Sequence, residues 1–323
     1  MNAKTSDTIH ITCNIDSNYV KYCTVMLTSL LENNSSENFH IHIIGPQLTD
    51  DDRRKLQGVV ERKYGQACSF YSPDETLLSM CRMDPSCYIS IATYYRVFLD
   101  RILPADIDKV IYLDCDIIVN GPIREFWEQD ISGVSIGAVD DMSGGVASYY
   151  ERLHYSPEHG YFNAGVLLMN LAKLRRDGFS ARASEFLEQR ASELAFFDQD
   201  LLNALLHTDK KMLPLRWNIQ HGFLRRNRSK RMTSESLQAV EREIKETVIV
   251  HYTGSKKPWQ YKSQHPWRQL YFKYLDMTEY RGERPAVPVS YRALSMINSL
   301  LELLRLRKRR YFKYEYRSMT DSQ

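Results

Sequence analysis

The run Val110–Val119 reads VIYLDCDIIV and sets two carboxylates, Asp114 and Asp116, one residue apart inside an otherwise apolar stretch. Burying an unpaired carboxylate costs several kcal/mol, as an order of magnitude. The pair therefore belongs at an open strand end or against a positive charge. In an extended strand residues i and i+2 share a face. That puts Asp114 and Asp116 about 7 Å apart beside Tyr112 and Ile118, with Leu113, Cys115 and Ile117 turned to the core. A divalent cation relieves the repulsion between such carboxylates and can bridge them to a diphosphate. His251 closes a second apolar run, TVIVHYTG. Alone, a histidine there is an ordinary hydrogen-bonded core residue. Joined to the two aspartates, it would make a mixed carboxylate–imidazole site suited to Mn²⁺ more than to Mg²⁺.

The elements around these residues alternate. TIHITCNI reads as a strand ending near Asp16, and SNYVKYCTVMLTSLLENN as a helix with Val20, Cys23, Leu27, Leu30 and Leu31 at helical spacing. FHIHIIG reads as a second strand. A helix then starts at Thr49 with Asp52 three residues on, a capping-box pattern, and carries Leu56 and Val59 on one face. SIATYYRVFLDRIL reads as a helix opened by Ser90 and stopped by Pro104, before the strand that carries the aspartates. This β-α-β-α-loop-α-β order predicts an α/β domain with a largely parallel sheet. GVSIGAVDD and YFNAGVLLMNL read as later strands, and FFDQDLLNALL as a helix with Asp198 near its start. Asp16, Asp114, Asp116, Asp141 and His251 all fall where strands stop, which is where open α/β sheets bind ligands. His40 and His42 share a strand face and read as structural, with no third ligand evident nearby.

Composition narrows the class. The chain has 323 residues, 43% of them apolar and 26% charged, with 14 glycines, as expected of a folded globular protein. No basic-then-apolar leader and no run of about 18 apolar residues is evident, so neither a signal peptide nor a membrane span is expected. Cys13, Cys23, Cys68, Cys81, Cys87 and Cys115 form no CxxC pair, and reduced thiols in the cytosol are the expectation. Charge is uneven: residues 281–323 hold ten Lys/Arg against four Asp/Glu, so a net +3 overall leaves the first 280 residues at −3. After the linker-like RGERPAVPV, Leu294, Ile297, Leu301 and Leu304 recur at spacings of three and four. Seven Lys/Arg then fall between Arg305 and Arg317, among Tyr311, Phe312, Tyr314 and Tyr316. Basic residues interleaved with aromatic and aliphatic ones suit an anionic bilayer surface. The division expected is a catalytic domain over 1–280 and a basic amphipathic helical region over 281–323; no nucleic acid is expected.

ISIATYYR, KVIYLDCDIIV, YFNAGVLLMNL, FFDQDLLN and HYTGSKKPW occur in this order. Together, over about Ile9 to Trp267, they closely resemble glycosyltransferase family 8, in particular its bacterial lipopolysaccharide glucosyl- and galactosyltransferases. The resemblance implies a GT-A type fold, a Rossmann-like nucleotide-binding α/β domain with a mostly parallel sheet. It implies transfer of glucose or galactose from UDP-glucose or UDP-galactose, with retention, to a lipopolysaccharide core acceptor. The enzyme would then work at the cytoplasmic face of the inner membrane, held there by the tail.

The resemblance also implies roles. Asp114, Asp116 and His251 match the Mn²⁺ ligands, with Mg²⁺ as the alternative ion. Asp16, Asn18 and Tyr19 match the uridine site, and Gly254 and Lys257 the diphosphate contacts. Arg96, Asn163 and Asp198 match residues that hold the donor sugar, and Gln199 lies on the reactive face of the anomeric carbon. Apart from the resemblance, Asp141 and the loop DDMSGGVASYYERLHYSPEHG are expected to shape the acceptor site and to close over the donor. Without that context Asp198 reads as a helix cap, Asn163 as a turn residue and Tyr19 as a half-buried aromatic. Gln199 is a poor nucleophile and Asp198 is occupied with hydroxyls, so front-side substitution is expected over double displacement. Two rivals are a haloacid-dehalogenase-like phosphohydrolase, which also uses DxD after a strand, and a non-catalytic nucleotide-sugar binder. Asp114→Asn or Asp116→Asn is expected to abolish transfer and leave the metal-free fold as stable or more so, through relieved repulsion.

Overall fold

The computed structural model describes residues 7–73, 91–230 and 234–312. Ser90, Cys81, Cys87, Tyr314, Tyr316 and Arg317, all used in the sequence reading, lie outside the described residues. Among the described residues there are ten strands: β1 Thr8–Asn14, β2 Asn38–Ile44, β3 Ala67–Tyr71, β4 Lys109–Leu113, β5 Ile117–Val119, β6 Ile136–Asp140, β7 Phe162–Asn170, β8 Lys210–Met212, β9 Ile219–Gln220 and β10 Ile249–His251. The helices are α1 Val20–Glu32, α2 Asp50–Gln57, α3 Leu99–Ile102, α4 Arg124–Trp127, α5 Ala147–Leu153, α6 Leu171–Arg176, α7 Phe179–Arg190, α8 Phe197–Leu206, α9 Ser234–Lys245, α10 Arg268–Leu275 and α11 Val289–Leu303.

The main sheet has the order β3-β2-β1-β4-β7-β6-β8. Every pair is parallel except the two made by β7, which runs against β4 and β6. β4 is apolar and buried on both faces after Lys109, as a central strand between helical layers must be, whereas β1 alternates, with Ile9, Ile11 and Cys13 fully buried on one face and the half-buried Thr8, His10 and Asn14 on the other. One core packs Ile9, Ile11, Ile111 and Leu113 with α1 and α2; the other packs Val110, Tyr112, Leu167 and Met169 with α7 and α8. Thr49 and Asp52 form the expected capping box of α2. β3 was not anticipated from the sequence, because its Ala-Cys-Ser-Phe-Tyr is short and only half-buried at the sheet edge.

The reversal of β7 shapes the site. Leu113 pairs with Val166, so the first residues of β7 lie beside the carboxyl end of β4, and the Asp114 amide bonds the Gly165 carbonyl at 2.9 Å. Asp140 pairs with Phe162, which brings Asp141 to the same edge.

Two sequence expectations change. VIYLDCDIIV is two strands, not one: β4 ends at Leu113, and β5 joins a second, three-stranded sheet of order β5-β10-β9. Asp114, Cys115 and Asp116 are the link between the sheets. The segment before Pro104 is mostly a tight 3₁₀ run over Ile91–Phe98, with a single α-turn after it. Its β-branched and aromatic side chains, Thr93, Tyr94, Tyr95 and Val97, are poor α-formers, and Arg96 bonds back to the Thr93 carbonyl at 3.1 Å.

α11 stands off the body, with Leu294, Met296, Ile297, Leu300 and Leu303 exposed. The chain then returns: the Phe312 amide bonds the Leu224 carbonyl at 3.1 Å, and Arg226 and Arg228 lie over the Phe312 ring. Among the described residues no helix is long and apolar enough to cross a membrane.

Candidate active site

Antiparallel pairing of β10 with β5 sets His251 opposite Ile117, next to Asp116. His251 Nε2 lies 3.2 Å from Asp116 Oδ1 and 3.7 Å from Asp114 Oδ2, and one ligand atom from each of the three residues lies within 4.8 Å of the others. The other ring nitrogen, Nδ1, is held 2.9 Å from Asn218 Oδ1, the kind of outer partner that orients a metal-binding imidazole. Gly165 closes the cradle. A Cβ there would come within 2.3 Å of His251 Cε1 and 2.6 Å of Asp114 Oδ2. Two carboxylates, one imidazole and a missing side chain fit a divalent cation, and the donor set is acceptable to Mn²⁺. Lys257 pairs with Asp116. Burial alone would push the Asp116 pKa up, but Lys257 and His251 together hold it well below the usual carboxylate range.

A second buried ion pair stands beside this cluster. Arg96 forms ion pairs with two carboxylates, Nη2 lying 2.9 Å from Asp114 Oδ1 and Nε 2.9 Å from Asp198 Oδ2, and donates from Nη1 to the Ala164 carbonyl at 2.7 Å, with its guanidinium 4.5 Å from the Tyr112 ring centre. Burial raises the Asp198 carboxyl to about 6 against the opposing pull of Arg96, and the neighbouring Asp114 charge adds to the rise. Asp198 does not cap its helix: the cap position is Phe196, which makes no side-chain cap bond. Phe197, just before it, has φ 50°, a left-handed conformation costly for a bulky side chain. That strain is stored where α8 delivers Asp198 and Gln199 to the cavity.

Gln199 is locked on both sides. Its Oε1 accepts from Asn163 Nδ2 and the Ala164 amide, each at 3.1 Å, and its Nε2 donates to Asp141 Oδ2 at 3.3 Å and to the Tyr161 hydroxyl at 3.2 Å. Asn163 is a strand residue and not a turn residue. Its Oδ1 accepts from Asn218 Nδ2 at 2.9 Å, which links the network to His251.

These groups line one cavity of about 290 Å³ at the β1–β4 switch of the sheet, where α/β folds take ligands. Asp16, Tyr19, Arg96, Asp114, Asp116, Asp141, Asn163, Asp198, Gln199, His251, Gly254 and Lys257 all lie on its wall. Asn18 does not; it is exposed, and its amide bonds Asp16 Oδ1 at 2.9 Å. Gly254 has φ +81°, a turn that lets the backbone after β10 fold over the cavity near His221.

The sequence reading missed Asn14, whose amide nitrogen and oxygen are buried without a hydrogen-bond partner among the described residues, on the cavity wall. Such a group is satisfied by a ligand or by water. Its only signal was its place at the end of β1. Asn218 and Gly165 were also missed. Asn218 shows no motif, whereas the glycine inside the apolar YFNAGVLLMNL was a visible sign of close approach.

The GT-A type fold and this site define a glycosyltransferase. The chain belongs to glycosyl transferase family 8, whose sequence pattern matches residues 10–263. It is 29% identical over 283 residues to general stress protein A of Bacillus subtilis, covering 84% of this chain and 94% of that one. It is 25% identical over 286 residues to the lipopolysaccharide 1,2-glucosyltransferase of Escherichia coli K12, covering 88% and 82%. The crystal structure of galactosyltransferase LgtC with donor and acceptor sugar analogues superposes with a TM-score of 0.74 at 24% identity, covering 88% of this chain and 99% of that one. Family membership sets aside the phosphohydrolase reading.

Proposed function

We propose that this chain transfers glucose or galactose from the matching UDP-sugar to a lipopolysaccharide core oligosaccharide, with retention of anomeric configuration and with Mn²⁺ held by Asp114, Asp116 and His251. The observation that carries the reading is the convergence of those three side chains with Lys257 and the Arg96–Asp198 pair on one cavity wall. The bound ion would neutralise charge on the diphosphate. Lys257, released from Asp116, would reach the β-phosphate as UDP departs and stabilise the charge that develops there. Asp16 and Tyr19 would face the nucleoside, Asn18 only its outer edge, and Gly254 the diphosphate. Arg96, Asn163 and Asp198 would hold the donor hydroxyls. Asp141 would contribute to the acceptor side mainly by fixing its loop, since Oδ1 already accepts from the Ser143 amide at 2.8 Å.

Retention is best served from the front. The Gln199 amide is a weak nucleophile with both ends hydrogen-bonded, and Asp198 is tied to Arg96. The acceptor oxygen would form its bond to the anomeric carbon on the face UDP leaves, and the departing phosphate oxygen would take the acceptor proton. Isolation of a glycosyl–Asp198 adduct by mass spectrometry would overturn this route.

The domain division is proposed as 1–280 and 281–323, with the second part meeting the anionic inner leaflet from the cytoplasmic side through α11 and the basic residues after it. The acceptor chemistry supports this location, because a lipid-linked acceptor lies at a membrane surface. A panel of UDP-hexoses against truncated lipopolysaccharide cores, with product linkages read by NMR, tests the function. Transfer of one hexose with an α-linkage from an α-donor supports it; no transfer to any core, or inversion, contradicts it.

A further inference from the structure

Away from the cavity, β1 and β2 bring three histidines together. His10 is in register with His40 across the parallel pair, and His42 lies two residues on, on the same face. One nitrogen of each ring lies within 4.8 Å of the others, and none of the three lines the active-site cavity. The sequence reading saw His40 and His42 but no third partner, because His10 comes from a strand some thirty positions earlier.

The hydrogen bonds are arranged as a metal site needs. His42 Nδ1 is 3.0 Å from the Tyr71 hydroxyl, which leaves Nε2 facing His10 Nδ1 at 2.9 Å. His40 Nε2 is 2.8 Å from Ser69 Oγ, which leaves its Nδ1 uncommitted to that partner. β3 thus supplies an outer partner to two of the three rings. His42 is fully buried, while His10 and His40 are half-buried and open a path for an ion. Burial, with repulsion among the rings, lowers the pKa of His10 and His42, and burial lowers that of His40, so all three are neutral ligands at pH 7.

We propose that His10, His40 and His42 form a second metal site, for a borderline imidazole-preferring cation such as Zn²⁺, that ties β1 to β2. Three imidazoles and a water would complete a four-coordinate shell with Zn–N distances of about 2.0–2.1 Å. Binding would require the hydrogen between His10 Nδ1 and His42 Nε2 to move to the other nitrogen of the ring that carries it, so both rings stay neutral and no proton is left over. All-nitrogen donors disfavour the hard Mg²⁺ and leave the carboxylate cluster as the distinct site for Mn²⁺. The tie joins β1, which leads into Asn14 and Asp16, to β2, and none of its three histidines lines the cavity, so its expected effect is on stability and not on chemistry.

The test uses the full chain stripped with chelator and titrated with Co²⁺, then Zn²⁺. The expected result is one tightly bound equivalent beyond that taken by the carboxylate site, with visible absorption typical of tetrahedral Co²⁺ that Zn²⁺ abolishes. His10→Gln and His40→Gln, at half-exposed positions, should each lose that equivalent and the Zn²⁺-dependent rise in thermal midpoint, while UDP release from UDP-hexose stays unchanged. The same number of equivalents in parent and both variants would overturn the site. Should neither variant fold, the parent's histidine ¹⁵N spectrum decides: Zn²⁺-induced shifts of three ring signals support the proposal, and their absence overturns it.

Discussion

Asp114 and Asp116 are less frustrated than two aspartates in an apolar run suggest. Arg96 neutralises the first and Lys257 the second, with His251 between them. The sequence-based expectation that an asparagine relieves repulsion therefore changes sign. Asp116→Asn leaves Lys257 facing a neutral amide, and breaking a largely buried pair costs on the order of 3 kcal/mol. Denaturant unfolding of metal-free protein should show this loss; equal or greater stability would mean that repulsion dominates after all. Gly165→Ala is the cleaner probe of the cradle. Its Cβ collides with both His251 and Asp114, so metal affinity and transfer should fall by a hundredfold or more, with circular dichroism unchanged. Near-normal Mn²⁺ affinity would show that the cradle does not matter.

At the scale of elements, the exposed apolar face of α11 is the part the body leaves uncovered. Leu300→Glu with Leu303→Glu puts charge on that face without touching the cavity. Co-sedimentation with vesicles rich in anionic lipid should drop at least tenfold, while hydrolysis of UDP-hexose in solution holds; unchanged sedimentation would remove α11 from the membrane reading. Strand and helix order was legible because long apolar runs and the Thr49–Asp52 cap carry their own period and stop signals. The break between β4 and β5 was not. Alternation continues through Leu113, Cys115 and Ile117, all buried in one core, so a switch between sheets leaves no trace in the pattern. Nor was the reversal of β7, because an apolar strand reads the same in both directions. The metal-like cluster was readable from residue types and order, whereas Asn14 and Asn218 gained meaning only when the strands converged.

The whole molecule carries an acid sensitivity that follows from its buried imidazoles. His42, His221 and His265 are pushed down to about 3, mainly by burial, with the Arg225 and Lys257 charges adding to the effect on His221, so they stay neutral when folded and take up protons on unfolding below about pH 6.5. The unfolded state then binds more protons, and stability falls as pH falls. Asp198, raised to about 6, opposes this with one proton between about pH 6 and 4. The imidazoles outnumber it, and His10 and His40, also lowered by burial, add to them, so the net change is a loss of stability as pH falls. Unfolding curves of metal-free protein from pH 7 to 4.5 should show that loss, and a flat profile would contradict it. Central to the proposed function is the binding of a nucleoside diphosphate sugar in one cavity through Asp114, Asp116 and His251. Its most direct test is UDP release from UDP-glucose and UDP-galactose without acceptor, across a Mn²⁺ titration, for the parent and Asp116→Asn. The expected result is slow release that saturates with Mn²⁺, vanishes with chelator and is absent in the variant. Equal release with and without Mn²⁺, or full release by Asp116→Asn, would contradict it.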